Sequence, residues 1–157
     1  MRRIYTIGLG VAVALAASSI NAQEDLQWIG HSDEYGASLV YGVPETGFAP
    51  LAFYCERGNS EVIFSYEFEP IDARDGVEVI VLLQAGDLEV PIETTGLRLE
   101  MDDLFILEGM SVLDERLADL LTSRGTLYVF VEDGTAEYPL DWAREAAEGM
   151  LSTCANF

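Results

Sequence analysis

Residues 61–69, EVIFSYEFE, set Val62, Phe64, Tyr66 and Phe68 at every second position, with Glu61, Ser65 and Glu67 on the alternate side. Successive side chains of an extended chain point to opposite faces, so this period of two is a strand with one apolar and one wet face. Such a strand belongs in an antiparallel sheet that covers a core on one side only. Comparable runs recur at 37–41, 51–56, 77–84 and 88–93, then as strand, turn and strand over 97–109. The run 77–84 is apolar on both faces, which predicts a central strand. Pro91 brings no ladder donor, which predicts an edge or a strand end for 88–93. Residues 126–140 read as a hairpin, with Asp133-Gly134 at the centre of a type I′ turn.

Two segments change period. Leu113, Leu117, Leu120 and Leu121 fall at i, i+4, i+7 and i+8, the stripe of an amphipathic helix over 112–123. Asp114 and Glu115 stand in its first turn, where the helix dipole favours acids. Near the end of the chain Ala143, Ala147, Met150, Leu151 and Cys154 form a second stripe, and Asp141 is the predicted N-cap. The sum is an α+β domain: an antiparallel sandwich or strongly curved sheet of about eight strands with two packed helices, the last one C-terminal.

The chain opens with Arg2 and Arg3, an uncharged run over 4–17, and the small residues Ser18, Ser19 and Ala22 ahead of Glu24 and Asp25. This is the layout of a secretory signal peptide cleaved after Ala22; a run of about 14 apolar residues is too short to span a bilayer. Residues 1–22 are thus expected to leave, and residues 23–157 to form one β-rich domain in the periplasm or beyond. No stable membrane insertion is expected after cleavage.

The compartment decides how the two cysteines are read. Cys55 shares a face with Leu51 and Phe53 on its strand, and Cys154 lies on the buried stripe of the last helix. An even count of two inward-pointing cysteines in an exported chain predicts one disulfide, Cys55–Cys154. The alternative is a pair of buried thiols acting as small hydrophobes. No CxxC motif marks a redox-active pair.

All eight basic residues are arginine, against 28 acids, for a net charge of −20. That balance excludes nucleic acid and anionic membranes as partners, because phosphate binding needs basic clusters. It suits a cationic protein partner, or it serves solubility in a saline environment.

Catalytic constellations are missing. His31 is the single histidine, in what reads as an exposed turn, and no G-x-S-x-G elbow occurs. One histidine and two paired cysteines do not make a zinc site. Asp102-Asp103, Glu132-Asp133 and Asp72/Asp75 are the densest acidic groups, and none has calcium-loop spacing. No catalytic, cofactor or metal residue is assigned. Trp28 and Trp142 are expected to pack in the core or at the domain edge, with a sugar-stacking platform as the alternative.

The early Trp28, the strand 51–55 with its inward cysteine, and Tyr138, Leu140 and Cys154 in the closing segment give the chain a resemblance to a known group. It resembles small periplasmic β-sandwich proteins of proteobacteria, of the invasion-associated locus B type and the type VI secretion accessory (TagO/VasI) type. The resemblance implies a non-enzymatic exported domain with a strand-to-helix disulfide and supplies no catalytic residues. The leading expectation is therefore a non-catalytic binding or accessory module. Two alternatives stand beside it: a small hydrolase using a carboxylate pair, and a structural envelope protein.

Overall fold

The structure is a computed structural model that describes residues 26–101 and 103–157. The signal segment 1–22 and Asp102 lie outside the described residues. Nine antiparallel strands form one curled half-barrel sheet with two helices: β1 (Gln27–Ser32), β2 (Gly36–Gly42), β3 (Leu51–Glu56), β4 (Glu61–Glu67), β5 (Glu78–Ala85), β6 (Leu88–Leu99), β7 (Leu104–Val112), α1 (Glu115–Leu121), β8 (Thr126–Val131), β9 (Gly134–Pro139) and α2 (Ala143–Cys154). Strand order is β1-β2-β3-β4-β7-β6-β5-β8-β9. Of the two architectures expected, the curved single sheet is the one formed.

Curling lets one sheet bury its own apolar face. Leu39, Phe53, Phe64, Leu107, Val81, Leu83 and Leu127 come from six different strands and are fully buried together. The long strand β6 carries the bend. Its first half pairs only with β5, while residues 94–99 also pair with β7. Pro91 lies in that first half, where its missing N–H interrupts no second ladder. The proline therefore does mark an edge, though a local one within an interior strand.

The two outermost strands approach one another at the seam of the curl. The indole Nε1–H of Trp28 in β1 donates to Pro139 O in β9 at 2.7 Å. Tyr41 bridges them edge-on, with ring centroids 5.3 Å from Trp28 and 5.1 Å from Tyr138.

The concave side is filled by α2, which lies on β1, β2 and β3, and by α1, which packs on β6. Ala143, Ala147, Met150 and Cys154 face the sheet as the stripe requires, while Leu151 is half-buried. Contact is close enough at Gly30 that a Cβ there would stand 1.8 Å from Ala146 O, so only glycine admits the helix backbone at that point. Cys55 and Cys154 are disulfide-bonded, with Cα atoms 6.3 Å apart and a sequence separation of 99.

Four local expectations are corrected. Residues 27–32 form a strand, so His31 sits on β1 rather than in a turn; its ring is nonetheless exposed. Asp141 is not the N-cap of α2: that place belongs to Trp142, in a left-handed conformation with φ 64° and no side-chain capping bond. Asp114 caps α1 instead of opening its first turn, accepting from Leu117 N at 2.9 Å, and Leu113 precedes the helix. The β8–β9 hairpin exists, but Val131 pairs with Gly134, leaving Glu132-Asp133 as the loop, and Gly134 has no positive φ. Gly134 lies against the Phe68 ring, and a Cβ there would stand 2.7 Å from it, so the ring would have to shift.

Two predictions follow from these contacts. A loop of about 100 residues closed by a disulfide is worth about 4–5 kcal/mol in the chain-entropy model. Replacing Cys55 and Cys154 together by serine should lower the unfolding free energy by about 2–5 kcal/mol in urea titrations. Burial pushes the Tyr138 hydroxyl well above the usual phenol range, helped by the neighbouring Tyr66 hydroxyl, and burial also raises Tyr66 and Tyr41. Phenols in the unfolded chain ionise near pH 10, so the stability these groups contribute is complete below about pH 10 and is lost as pH rises beyond it. Melting temperatures should fall above about pH 10, and the fall should be shallower in Tyr138→Phe.

Candidate interaction surface

Three of the acids singled out in the sequence, Asp133, Asp75 and Asp103, are engaged by backbone N–H groups or by Arg98. Asp133 Oδ2 accepts from Ile71 N at 2.6 Å, tying the 69–76 loop to the β8–β9 hairpin. Asp75 Oδ1 accepts from Arg98 N at 2.8 Å. Asp103 pairs with the Arg98 guanidinium at 3.1 Å, and Glu69 is its second partner. Among the described residues no three His, Cys, Asp or Glu side chains gather into a metal-binding group. His31 Nε2 stands 3.6 Å from Asp33 Oδ2 on the exposed end of β1. Asp33 is held below the usual carboxylate range by the backbone N–H groups of Tyr35 and Gly36, with His31 adding to this. That is the wrong direction for a general acid, which needs a raised pKa.

The convex face of the sheet offers more. Residue register places Tyr54 of β3 opposite Ile63 of β4, and Ile63 opposite Met110 of β7. These three side chains form a row across adjacent hydrogen-bonded strands, with exposures of 43, 41 and 57 %. Neighbouring strands lie about 4.8 Å apart, so the row is about 10 Å long. Val112 lies one step along β7 and is also exposed. A shallow cavity of about 300 Å³ sits on the row, with Asn59 and Glu61 at its margin.

Glutamates border it. Glu56 and Glu61 flank the row on one side, Glu108 stands on the other, and Glu93 rises from β6; all four are exposed. Asn59 fixes one of them, since its Oδ1 accepts from Glu61 N at 3.0 Å and its Nδ2 donates to Glu61 Oε2 at 3.3 Å. Arg57 is engaged elsewhere: its guanidinium donates to the backbone oxygens of Glu34 and Asp33. The patch is therefore apolar at its centre and negative at its rim.

Of the residues named from sequence, the fold brings Cys55 and Cys154 together beneath this face, and Asp75 and Asp103 together at Arg98. Tyr54, Ile63 and Met110 escaped the sequence reading because attention to the apolar phase of each strand passes over apolar residues in the polar phase. The signal was present: Ile63 interrupts Glu61, Ser65 and Glu67, and Met110 follows Glu108 in the same phase.

No family model, curated protein or solved structure matches the chain.

If the row is held out for a partner and not for stability, its loss should cost the fold little. Ile63→Thr with Met110→Gln should change unfolding free energy by less than about 1 kcal/mol. Phe64→Ala, on the inner face of the same strand, should cost about 3–5 kcal/mol. Urea titrations of the two variants distinguish the faces.

Proposed function

We propose that this chain is an exported, non-catalytic interaction module that docks a cationic amphipathic polypeptide on the convex face of its sheet. The observation that carries this reading is the row Tyr54–Ile63–Met110 standing uncovered within a border of four glutamates. An exposed apolar patch rimmed by polar residues marks an interaction site. Apolar contact supplies affinity at its centre, while the charged rim sets the sign of the partner and speeds encounter. A second copy of the chain is a poor occupant, since each copy carries the same −20 charge.

The carboxylate-pair hydrolase finds less support. Glu56, Glu61, Glu78, Glu93 and Glu108 line shallow cavities and are all exposed, whereas an acid catalyst needs a desolvated carboxyl. Export is proposed from the signal-like segment 1–22, and the Cys55–Cys154 bond suits an oxidising compartment. No described helix is long and apolar enough to cross a membrane. The resemblance to small periplasmic sandwich proteins of the invasion-associated and secretion-accessory types supports the same reading.

The test uses a defined probe: a synthetic helical peptide with a leucine stripe flanked by lysines, and its counterpart with glutamates replacing the lysines. The basic peptide should bind the mature protein and weaken at least tenfold between about 50 mM and 500 mM salt, as exposed charges are screened. Ile63→Glu with Met110→Glu should abolish binding. Equal affinity for both peptides, or undiminished binding by the double variant, would refute the assignment.

A further inference from the structure

Trp142 has no structural explanation in the fold. The residue is 75 % exposed and its backbone holds φ 64°, a conformation that bulky residues adopt rarely and at a cost. The residues around it are well anchored. Leu140 and Ala143 are buried, Leu140 N–H donates to Gly125 O at 2.8 Å, and Ala143 N–H donates to Leu140 O at 3.2 Å. The turn is thus held firmly and presents an indole to solvent.

Beside the ring lies a cavity of about 340 Å³ between the C-terminal end of α1 and the start of α2, lined by Ser123, Arg124, Asp141, Arg144 and Glu145. Arg144 is fixed there by donating to Thr122 O at 2.6 Å. Arg124 forms no ion pair among the described residues. Two guanidinium and two carboxylate groups cancel, so this cavity is locally neutral on a chain of net charge −20.

We propose that this cavity is a saccharide-binding site for a neutral pyranose, with the sugar ring stacked on Trp142. The apolar C–H face of a pyranose matches the face of an indole. Its hydroxyls both donate and accept, which suits guanidinium donors and carboxylate acceptors placed side by side. The volume falls at the lower end of the range for small-molecule pockets. An acidic sugar would meet Asp141 and Glu145, and a cationic one would meet Arg124 and Arg144. The site shares no residue with the convex-face patch, so the two assignments stand or fall separately.

The experiment titrates the protein with maltotriose, cellotriose and chitotriose as neutral probes, and with trigalacturonate as an anionic one. At least one neutral trisaccharide should give a saturable change in tryptophan fluorescence and a matching calorimetric isotherm, with Trp28 as a buried, unchanging background. Trp142→Gly suits the left-handed φ, so its melting temperature should equal or exceed that of the parent while calorimetric affinity falls at least tenfold. Arg124→Ala should weaken binding with the fold intact. Saturation by none of the three neutral sugars, or parental affinity in Trp142→Gly, would overturn the proposal. Tighter binding of trigalacturonate than of every neutral probe would also overturn it, by marking an anion site at Arg124.

Discussion

The seating of α2 in the concavity of the sheet is the contact on which the rest of this fold depends. A single curled sheet has no second sheet to cover its inner face, so the last twelve residues of regular structure must do so for β1, β2 and β3. Three features act together there. Gly30 lets the helix backbone approach, the Ala143–Ala147–Met150 stripe fills the concavity, and the Cys55–Cys154 bond closes the arrangement. The disulfide acts chiefly on the unfolded chain by shortening its reach, while the glycine and the stripe act on the native state. The hairpins β5–β6 and β8–β9 form from neighbouring residues, but α2 must find strands about a hundred residues earlier. Contacts of that separation are formed at high entropic cost, and a covalent bond between those elements offsets it.

The fold was legible wherever one face of an element is buried and the other is wet. Period two in β4 and the leucine and alanine stripes of α1 and α2 each reflect that condition, and so do the inward phases of both cysteines. Legibility failed where another constraint governed the residue. Strand β1 carries no clean alternation, because Gly30 answers to the approach of Ala146 and not to strand propensity. Gly134 resembles a turn glycine but pairs with Val131 on the strand and lies against the Phe68 ring, with Glu132-Asp133 as the loop. Asp141 looks like a cap, yet the helix begins one residue later behind a strained tryptophan. In each case a tertiary neighbour overrode a local signal, and the neighbour is invisible until the chain is folded.

The candidate surfaces show the same division in reverse. Local rules place Ile63 and Met110 on the wet side of their strands and Trp142 outside the core, so each departs from the pattern that stabilises the domain. Such departures are expected at sites held for something else. The sheet's own edges are better guarded: β9 ends in Pro139 and carries Glu137 outward, and β1 is tied down through Trp28. Strand addition at these edges is discouraged by charge and by proline. The apolar row on the convex face has no such protection beyond its glutamate border.

That border sets what an uncovered apolar patch meets on a chain of net charge −20. Approach of a like-charged surface brings glutamates together before any apolar contact forms, and at physiological salt this repulsion acts over about 8 Å. In the proposed docking, the same field draws a basic surface inward to the distance at which Tyr54, Ile63 and Met110 are desolvated. Acidity here need not be an alternative to partner binding. In the proposed docking, the glutamates around the apolar row select the charge of what is allowed to touch it, whatever the acidity does over the rest of the domain.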